Sequence, residues 1–410
     1  NYVNTWPKDK KEDPSKGFYF VKYIADVLNS INHQATLAVL LPIACAIGTK
    51  GVIKEIKEEI LKENTLDAVF TLPNDIFHPG ATVQSCCMVF KIGRKHSDIA
   101  TPNTFFGYYK DDGFKKKKNI GRIEQVDSVT KKSKWIDIEQ EWIDLYRNRK
   151  EKPGRSATHK VTAFDEWVCE AYMETDYSVL SETDFVNTIN DYFSYLVSIG
   201  KIFDKQYVAD DKYVLDYFQF LLRKKEKYKK VDTSNWKEFV YSKIFNVKKG
   251  FYNKKPEHIF QGETERCNGV TEYYSLEDIE MASKTGDDHN VQIEEKLFEG
   301  NALCVTNNGS VGCAFFQPIP FTCSHDVNPL YILNGRFDMY NALFVATVIG
   351  LDKYRWDYGR KWRPERMVKS TIRLPARREN GEYVPDWNYM RDYVKALPYN
   401  KNCEEAYNGR

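Results

Sequence analysis

Two apolar runs, Leu66–Leu72 and Ser85–Ile92, stand on either side of twelve residues with no helical period, PNDIFHPGATVQ. That spacing restricts the fold more than any other feature of the chain. Parallel strands need a crossover, usually a helix, so these two runs are expected to be antiparallel neighbours. Ahead of them, Thr36–Leu41 is a short apolar run suited to a buried parallel strand. A helix is expected before it, over Lys16–Leu28, with Phe20, Ile24 and Val27 on helical spacing. Another follows over Gly51–Glu63, with Ile53, Ile56 and Ile60 on one face and Lys54/Glu58 and Glu58/Lys62 as exposed pairs. A helix, strand, helix, strand, strand series of this kind is half of a doubly wound α/β sheet, and a stable domain needs the other half.

From about residue 96 the text changes to Gly, Lys, Asp and aromatic residues, TFFGYYKDDGFKKKKNIGRI, followed by an acidic-aromatic helix candidate at Ile136–Arg147. Phe185–Ile202 and Tyr213–Lys227 read as helical, and the lysine-rich residues 228–250 suit a linker. From about 251 the pattern is mostly strand and turn. ALCVTNNGSVGCAFF alternates into Asn307-Asn308-Gly309, and Asn-Gly supplies the positive φ of a tight hairpin. NALFVATVIGL begins a helix that runs into a basic-aromatic stretch; STIRLP is a closing strand; Pro385–Leu397 is a short amphipathic segment. The divisions expected are 1–95, 96–250, 251–397 and a polar tail, 398–410.

Composition bears on partners and compartment. The chain has 410 residues, long enough for two or three cores. Its longest apolar stretch, Leu37–Ile47 with Pro42 inside it, is too short to span a bilayer, and Asn1–Ser15 is not a signal peptide, so a soluble cytoplasmic protein without a membrane partner is expected. Nine cysteines without Cys-x-x-Cys spacing argue for reduced thiols, and the lone Cys323-Ser324-His325 pair is too few ligands for a metal. A net charge of +2 is uninformative, but Lys353–Arg373 holds eight Lys/Arg against two carboxylates, interleaved with aromatics. Such a surface could track phosphates.

The blocks LDAVFTLPNDIFHPGATVQSCCMVF, TFFGYYKDDGF and DEWVCEAYMETDYSVL resemble the carboxyl-terminal half of the modification subunit of type I restriction-modification systems, which are adenine-N6 DNA methyltransferases. That likeness covers roughly residues 1–200. CNGVTEYYS, VTNNGSVGCAFFQ, DVNPLY and YRWDYGRKW resemble the target-recognition domain of specificity subunits of the BcgI beta-subunit kind, over about 255–397. The resemblance implies a partial Rossmann-like methyltransferase sheet, a helical connector and an α+β target-recognition domain. It implies sequence-specific adenine-N6 methylation with S-adenosylmethionine as cofactor, on double-stranded DNA, with a homodimer or other restriction-modification subunits as partners. The family's Gly-containing S-adenosylmethionine loop and its Asn-Pro-Pro-aromatic tetrapeptide are not in this sequence. By the resemblance they belong upstream of Asn1 or on another chain, so no catalytic residue is assigned and this chain alone is not expected to methylate. The rival is a non-catalytic specificity subunit that docks a separate methyltransferase or nuclease; a nuclease itself lacks a convincing Asp and Glu-x-Lys cluster.

An adenine must leave the duplex for its amino group to be methylated, and enzymes hold such a base by stacking and edge hydrogen bonds. The resemblance gives the stacking role to the aromatic after the Leu-Pro strand end, which is Phe77; the residues alone favour a core-capping role. His78 is a weaker candidate. Candidate DNA contacts are Arg355, Arg360, Lys361, Arg363, Arg366 and Lys369, which suit phosphate or guanine, with Asn307 and Ser310, whose first use is turn chemistry. A solvated basic face is the alternative. Trp356, Tyr358 and Trp362 are expected beneath that face, packed rather than stacked on bases. Lys115–Lys118 could grip flanking DNA.

Overall fold

The computed structural model describes residues 15–81, 83–98, 100–198, 229–250, 270–272, 298–357 and 359–397, in two compact units, Asn1–Asp176 and Tyr177–Arg410. The first unit opens with α1 (Ser15–Ser30), β1 (Ala35–Pro42), α2 (Ile43–Ile47) and α3 (Gly51–Glu63), and continues with β2 (Thr65–Thr71) and β3 (Ser85–Ile92). Then come β4 (Thr104–Tyr108), a hairpin of β5 (Phe114–Lys117) and β6 (Gly121–Glu124), α4 (Lys134–Arg147) and β7 (Ser156–His159). Strands β1-β3-β2-β4-β7 form one sheet in that order.

β2 and β3 pair antiparallel, as their short connection requires, with a register shift between Leu66 and Ala68. β4 joins β2 in parallel and β7 closes against β4. The sheet therefore runs on past residue 95, where a composition shift suggested a boundary. The Gly- and Lys-rich stretch misleads because Thr104, Phe105 and Phe106, fully buried in β4, sit among residues of turn and hairpin type. Trp167 is buried with its edge on Phe18 of α1, ring centroids 5.7 Å apart, and 6.5 Å from Phe90 of β3.

The first helix forms as its periodicity predicts, but with the other face inward. Phe18, Val21 and Ala25 are buried, while Phe20 is 59 % exposed and Tyr23, Ile24, Val27 and Ile31 are exposed with it. α1 thus carries a second, outward apolar stripe beside the polar one on which Lys22 pairs with Asp26. β1 differs from expectation in the same sense. It is not buried on both faces: its residues alternate between half-buried and exposed, with Leu40 57 % exposed. Among the described residues β1 pairs with β3 alone, so its second edge carries unpaired backbone groups.

In the second unit, α5 (Glu182–Ser198), β8 (Lys237–Val240), α6 (Tyr241–Ile244), β9 (Phe245–Val247) and β10 (Val270–Glu272) precede β11 (Ala302–Thr306), β12 (Ala314–Gln317), β13 (Phe321–Cys323) and β14 (Val327–Ile332). α7 (Met339–Leu351), α8 (Pro364–Met367), β15 (Thr371–Leu374), β16 (Ala376–Glu379), β17 (Glu382–Pro385) and α9 (Trp387–Lys395) complete it. The sheet β12-β11-β14-β9 is antiparallel throughout. α7 is buried from Met339 to Ile349, as an all-apolar helix must be, and begins in a capping box of Asp338 and Asn341. α5 belongs to this core rather than to a connector: Phe185 lies 4.7 Å from Phe344 of α7.

Residues 237–247 are not the linker that their lysines suggested. β8 pairs with β15 and β9 with β14, and Trp236, Phe239, Tyr241, Ile244 and Phe245 are buried between the outward lysines. The expected helix at Tyr213–Lys227 lies outside the described residues. All described cysteines are free thiols, and among the described residues no group of three or more His, Cys, Asp or Glu could hold a metal. No described helix is long and apolar enough to cross a membrane.

Candidate nucleic-acid interface

β1 and β2 each run antiparallel to β3, and β4 runs parallel to β2, so the carboxyl ends of β1, β2 and β4 share one edge of the first sheet. Ligands of open α/β sheets bind outside that edge. α2, loop 72–84 and residues 109–113 leave from it. The loop is built of consecutive turns: Ile76 N–H donates to Pro73 O at 3.2 Å, His78 N–H to Asp75 O at 2.9 Å and Ala81 N–H to Phe77 O at 3.0 Å. The His78-Pro79 peptide is cis. Turn chemistry uses the backbone and leaves the side chains outward, so Phe77 is 39 % exposed rather than capping the core. His78 Nε2 is enclosed without a hydrogen-bond partner.

Around the loop lie residues that the sequence does not single out. Glu170, buried, accepts from Thr71 Oγ1 at 2.7 Å at the end of β2 and lies 3.3 Å from Lys110 Nζ. Phe70, Tyr109 and Trp142 stack in a row, centroids 5.0 and 3.9 Å apart. Burial pushes the Tyr109 phenol well above its usual range, and its hydroxyl donates to Trp142 O at 3.0 Å. Arg122 grips both Asp112 oxygens, at 2.7 and 2.8 Å, and reaches Asp75 of the loop at 3.1 Å. The block YYKDDGF holds Tyr109, Lys110 and Asp112, but nothing in its spacing marks Arg122 as the partner of Asp112.

In the second unit the basic stretch divides into two kinds of residue. Arg360 is only 8 % exposed; its guanidinium lies 4.4 Å over the Trp356 ring and its Nη1 donates to Arg355 O at 2.9 Å. Arg355 pairs with buried Asp352 at 3.3 Å, and Arg366 Nη1 donates to Lys361 O at 3.0 Å. Arg355, Arg360 and Arg366 thus brace the loop 352–370, a use that counting charges does not reveal. Arg363 and Lys369 are exposed and Lys361 is half-buried. Trp356 and Trp362 are buried and stacked, centroids 4.9 Å apart, beneath this surface; Tyr358 lies outside the described residues.

Asn307 departs from expectation as well. It is buried, and its Nδ2 donates to His325 O and Asn328 Oδ1, each at 2.9 Å, leaving no amide edge for DNA. The β11–β12 connection is not a two-residue turn either. Thr306 N–H donates to Cys313 O at 2.9 Å, and a seven-residue loop, 307–313, is folded over the Thr306 hydroxyl, with Gly309 and Gly312 at positive φ. Ser310 is exposed on that loop.

The chain thus carries an α/β sheet with an aromatic-bearing loop at its carboxyl edge and, in its second unit, an antiparallel module with a basic loop. Comparison with known families finds a match for each. Residues 5–194 match the N-6 DNA methylase family and residues 233–378, after them, the type I restriction-modification DNA specificity domain. The second match begins at 233, which takes in β8 and β9.

Two curated relatives come from Heyndrickxia coagulans. The specificity subunit S.BcgI of a type II restriction enzyme is 30 % identical over 40 % of this chain and 43 % of its own length. The type II restriction enzyme and methyltransferase RM.BcgI is 28 % identical over 45 % of this chain and 28 % of its own. The chain therefore spans less than half the length of either. Among solved structures, the methyltransferase subunit of a type I restriction-modification system from Streptococcus thermophilus is 19 % identical over 35 % of this chain and 27 % of that one, at a TM-score of 0.26.

Proposed function

We propose that this chain selects a DNA sequence through its second unit and holds the target adenine for N6 methylation at the carboxyl edge of its first. The observation that carries the reading is the placement of Phe77, exposed, on the loop that leaves β2 at that edge within a domain of the N-6 DNA methylase family. An extruded adenine stacks on the exposed Phe77 ring, while His78 Nε2, enclosed in the loop, is not presented to it. Exposed Arg363, Lys369 and Ser310, with Lys361, contact the duplex; Arg355, Arg360, Arg366 and Asn307 hold the loops that present them.

S-adenosylmethionine, which supplies the methyl group in this family, does not fit the described residues alone. The carboxyl end of β1 is covered by α2, whose Ile43, Cys45, Ala46 and Ile47 are buried. A hollow lined by Thr36, Asp67, Lys91 and Arg149 lies at the opposite end of the strands. No step is therefore assigned to the cofactor here.

The unpaired edge of β1 and the exposed apolar face of α1 are the surface on which the remainder of the methyl-transfer sheet packs. That remainder carries the Gly-containing loop and the Asn-Pro-Pro-aromatic tetrapeptide, upstream or on another subunit. A second copy of the chain supplies the second recognition domain of a two-part site, and DNA as substrate places the protein in the cytoplasm.

The test is methyl transfer from labelled S-adenosylmethionine to duplex DNA. The chain joined or mixed with such a segment should label adenine, and neither part should do so alone. If no combination labels DNA, the reading fails.

A further inference from the structure

The β5–β6 hairpin stands outside the five-stranded sheet and has no counterpart in the site so far described. Its strands pair Phe114 with Glu124 and Lys117 with Gly121, and the tip bends through Asn119 at φ 64° and Gly121 at φ 111°. Lys115, Lys116, Lys117 and Lys118 are all exposed, and none of them has an ion pair among the described residues. Ile120, at the tip, is 65 % exposed. A lysine run on a flexible loop would carry little meaning. This one is on a braced element.

The brace is Arg122. Its guanidinium is two-pronged on Asp112, which is itself buried, and its Nε reaches Asp75, two residues before Phe77. The same guanidinium lies 5.4 Å from the centre of the Phe114 ring across the hairpin. Gln125 N–H donates to Gly113 O at 2.7 Å and Lys134 N–H to Gln125 O at 2.9 Å, which closes the hairpin base onto the start of α4. A two-pronged arginine fixes geometry as well as charge. The base-holding loop and the lysine hairpin are therefore locked to one another through a single side chain. Only one strand pair, Lys117 with Gly121, lies beyond Arg122, so the tip at Ile120 is two residues away, about 7 Å along the strand.

We propose that hairpin 114–124 is a DNA-gripping finger: its lysines, presented alternately on the two faces of the strand and at the turn, hold phosphates on either side of the finger near the extruded adenine, its tip Ile120 presses into the adjoining groove, and Arg122 is the positioning residue that keeps finger and Phe77 loop in register. Duplex DNA is the partner because the surface combines unpaired cations with an apolar point, the combination by which groove-binding proteins grip the backbone and wedge the bases. This inference rests on the reading of the Phe77 loop as the holder of the target base and adds a second place of contact to it.

The experiment is binding of a 30-base-pair duplex by the whole chain across a range of salt concentrations. For every phosphate that the protein no longer neutralises, the slope of log affinity against log salt falls by about 0.9. A variant with Lys115, Lys116, Lys117 and Lys118 all changed to Gln should show a slope lower by about 2 or more. Ile120→Ser, which removes no charge, should weaken binding about fivefold with the slope unchanged. Arg122→Gln should lower the slope, and Arg122→Lys should not restore it, because an ammonium cannot hold Asp112 with two prongs while reaching Asp75. The lysines and Ile120 are exposed, so those variants keep the fold, and their unfolding midpoints confirm it. A lysine variant that binds with the slope of the unaltered chain overturns the finger. An unaltered chain that binds no duplex overturns the functional reading as well, so the two failures are told apart by the unaltered chain's own curve.

Discussion

Asn307 Nδ2 donates to Asn328 Oδ1 at 2.9 Å, and neither side chain reaches solvent. Asn328 in turn donates to Trp362 O at 3.0 Å. The β11–β12 loop is thereby tied through β14 to the basic loop that presents Arg363 and Lys369. Buried amides joined this way are costly to break singly, because each leaves its partner unpaired. Asn328→Ala should lower the stability of the second unit by about 3 kcal/mol, read from chemical denaturation. The double change with Asn307→Ala should cost less than the sum of the single changes, because both remove the same bond.

Lys57 gives a pH dependence. Its ammonium is buried and donates to Ala46 O, Gly48 O and Asp165 O at 2.8, 2.7 and 3.0 Å, with the Trp167 ring 4.5 Å away. Burial pushes its pKa from 10.5 down to about 7, against the pull of Glu166 and Asp165. Between those values the unfolded chain binds a proton that the native chain does not, so stability rises with pH above about 7. Burial raises the Cys86 thiol, which acts in the opposite direction at alkaline pH. Urea midpoints of the first unit should therefore increase from pH 7 to pH 8.5. Lys57→Met should remove the increase and lower the midpoint at every pH, since three carbonyls lose their donor.

Phe77→Ala should cost the completed enzyme about 5- to 150-fold in methyl transfer, from the loss of base–aromatic stacking of about 1–3 kcal/mol. The ring is partly exposed, so the unfolding midpoint should hardly change. Phe77→Trp should retain most of the activity. Equal activity of Phe77→Ala and the unaltered enzyme would remove the ring from the site.

Arg360 and Arg363 are neighbours in the sequence with separate expected effects. Arg360→Ala removes a guanidinium from the face of Trp356 and should destabilise the second unit by about 1–2 kcal/mol. Arg363→Glu with Lys369→Glu should leave stability unaltered, weaken duplex binding and flatten its salt dependence. Binding titrations and denaturation curves on the same preparations separate the two roles.

Much of this architecture could be read from the sequence, because it rests on local period and connection length. The β2–β3 pairing follows from twelve residues without a helix, and α7 follows from an unbroken apolar run. What could not be read was which way an element faces. α1 carries two apolar stripes, Phe18, Val21 and Ala25 inward and Phe20, Tyr23, Ile24 and Val27 outward, and helical spacing cannot tell the covered one from the open one. Nor could charge counting tell Arg360, lodged on Trp356, from Arg363 in solvent. The lysines of 237–249 disguised a buried aromatic series because alternate residues of short strands point in opposite directions. Arg122 bridges two aspartates, one 10 and one 47 residues away, and such convergence exists only in the folded chain.

The account depends most on the edge of β1. Its backbone groups are open on one side, Leu40 is exposed on the strand, and Phe20, Tyr23, Ile24 and Val27 of α1 are exposed with Ile31 after it. Amide hydrogen exchange of Ala35–Leu41 and of α1 tests this directly, in the chain alone and with a polypeptide bearing the Gly-containing loop and the Asn-Pro-Pro-aromatic tetrapeptide. The account predicts rapid exchange at the β1 edge in the chain alone and strong protection of β1 when the second polypeptide is present. Equal exchange in both states, with β1 already protected in the isolated chain, would contradict it.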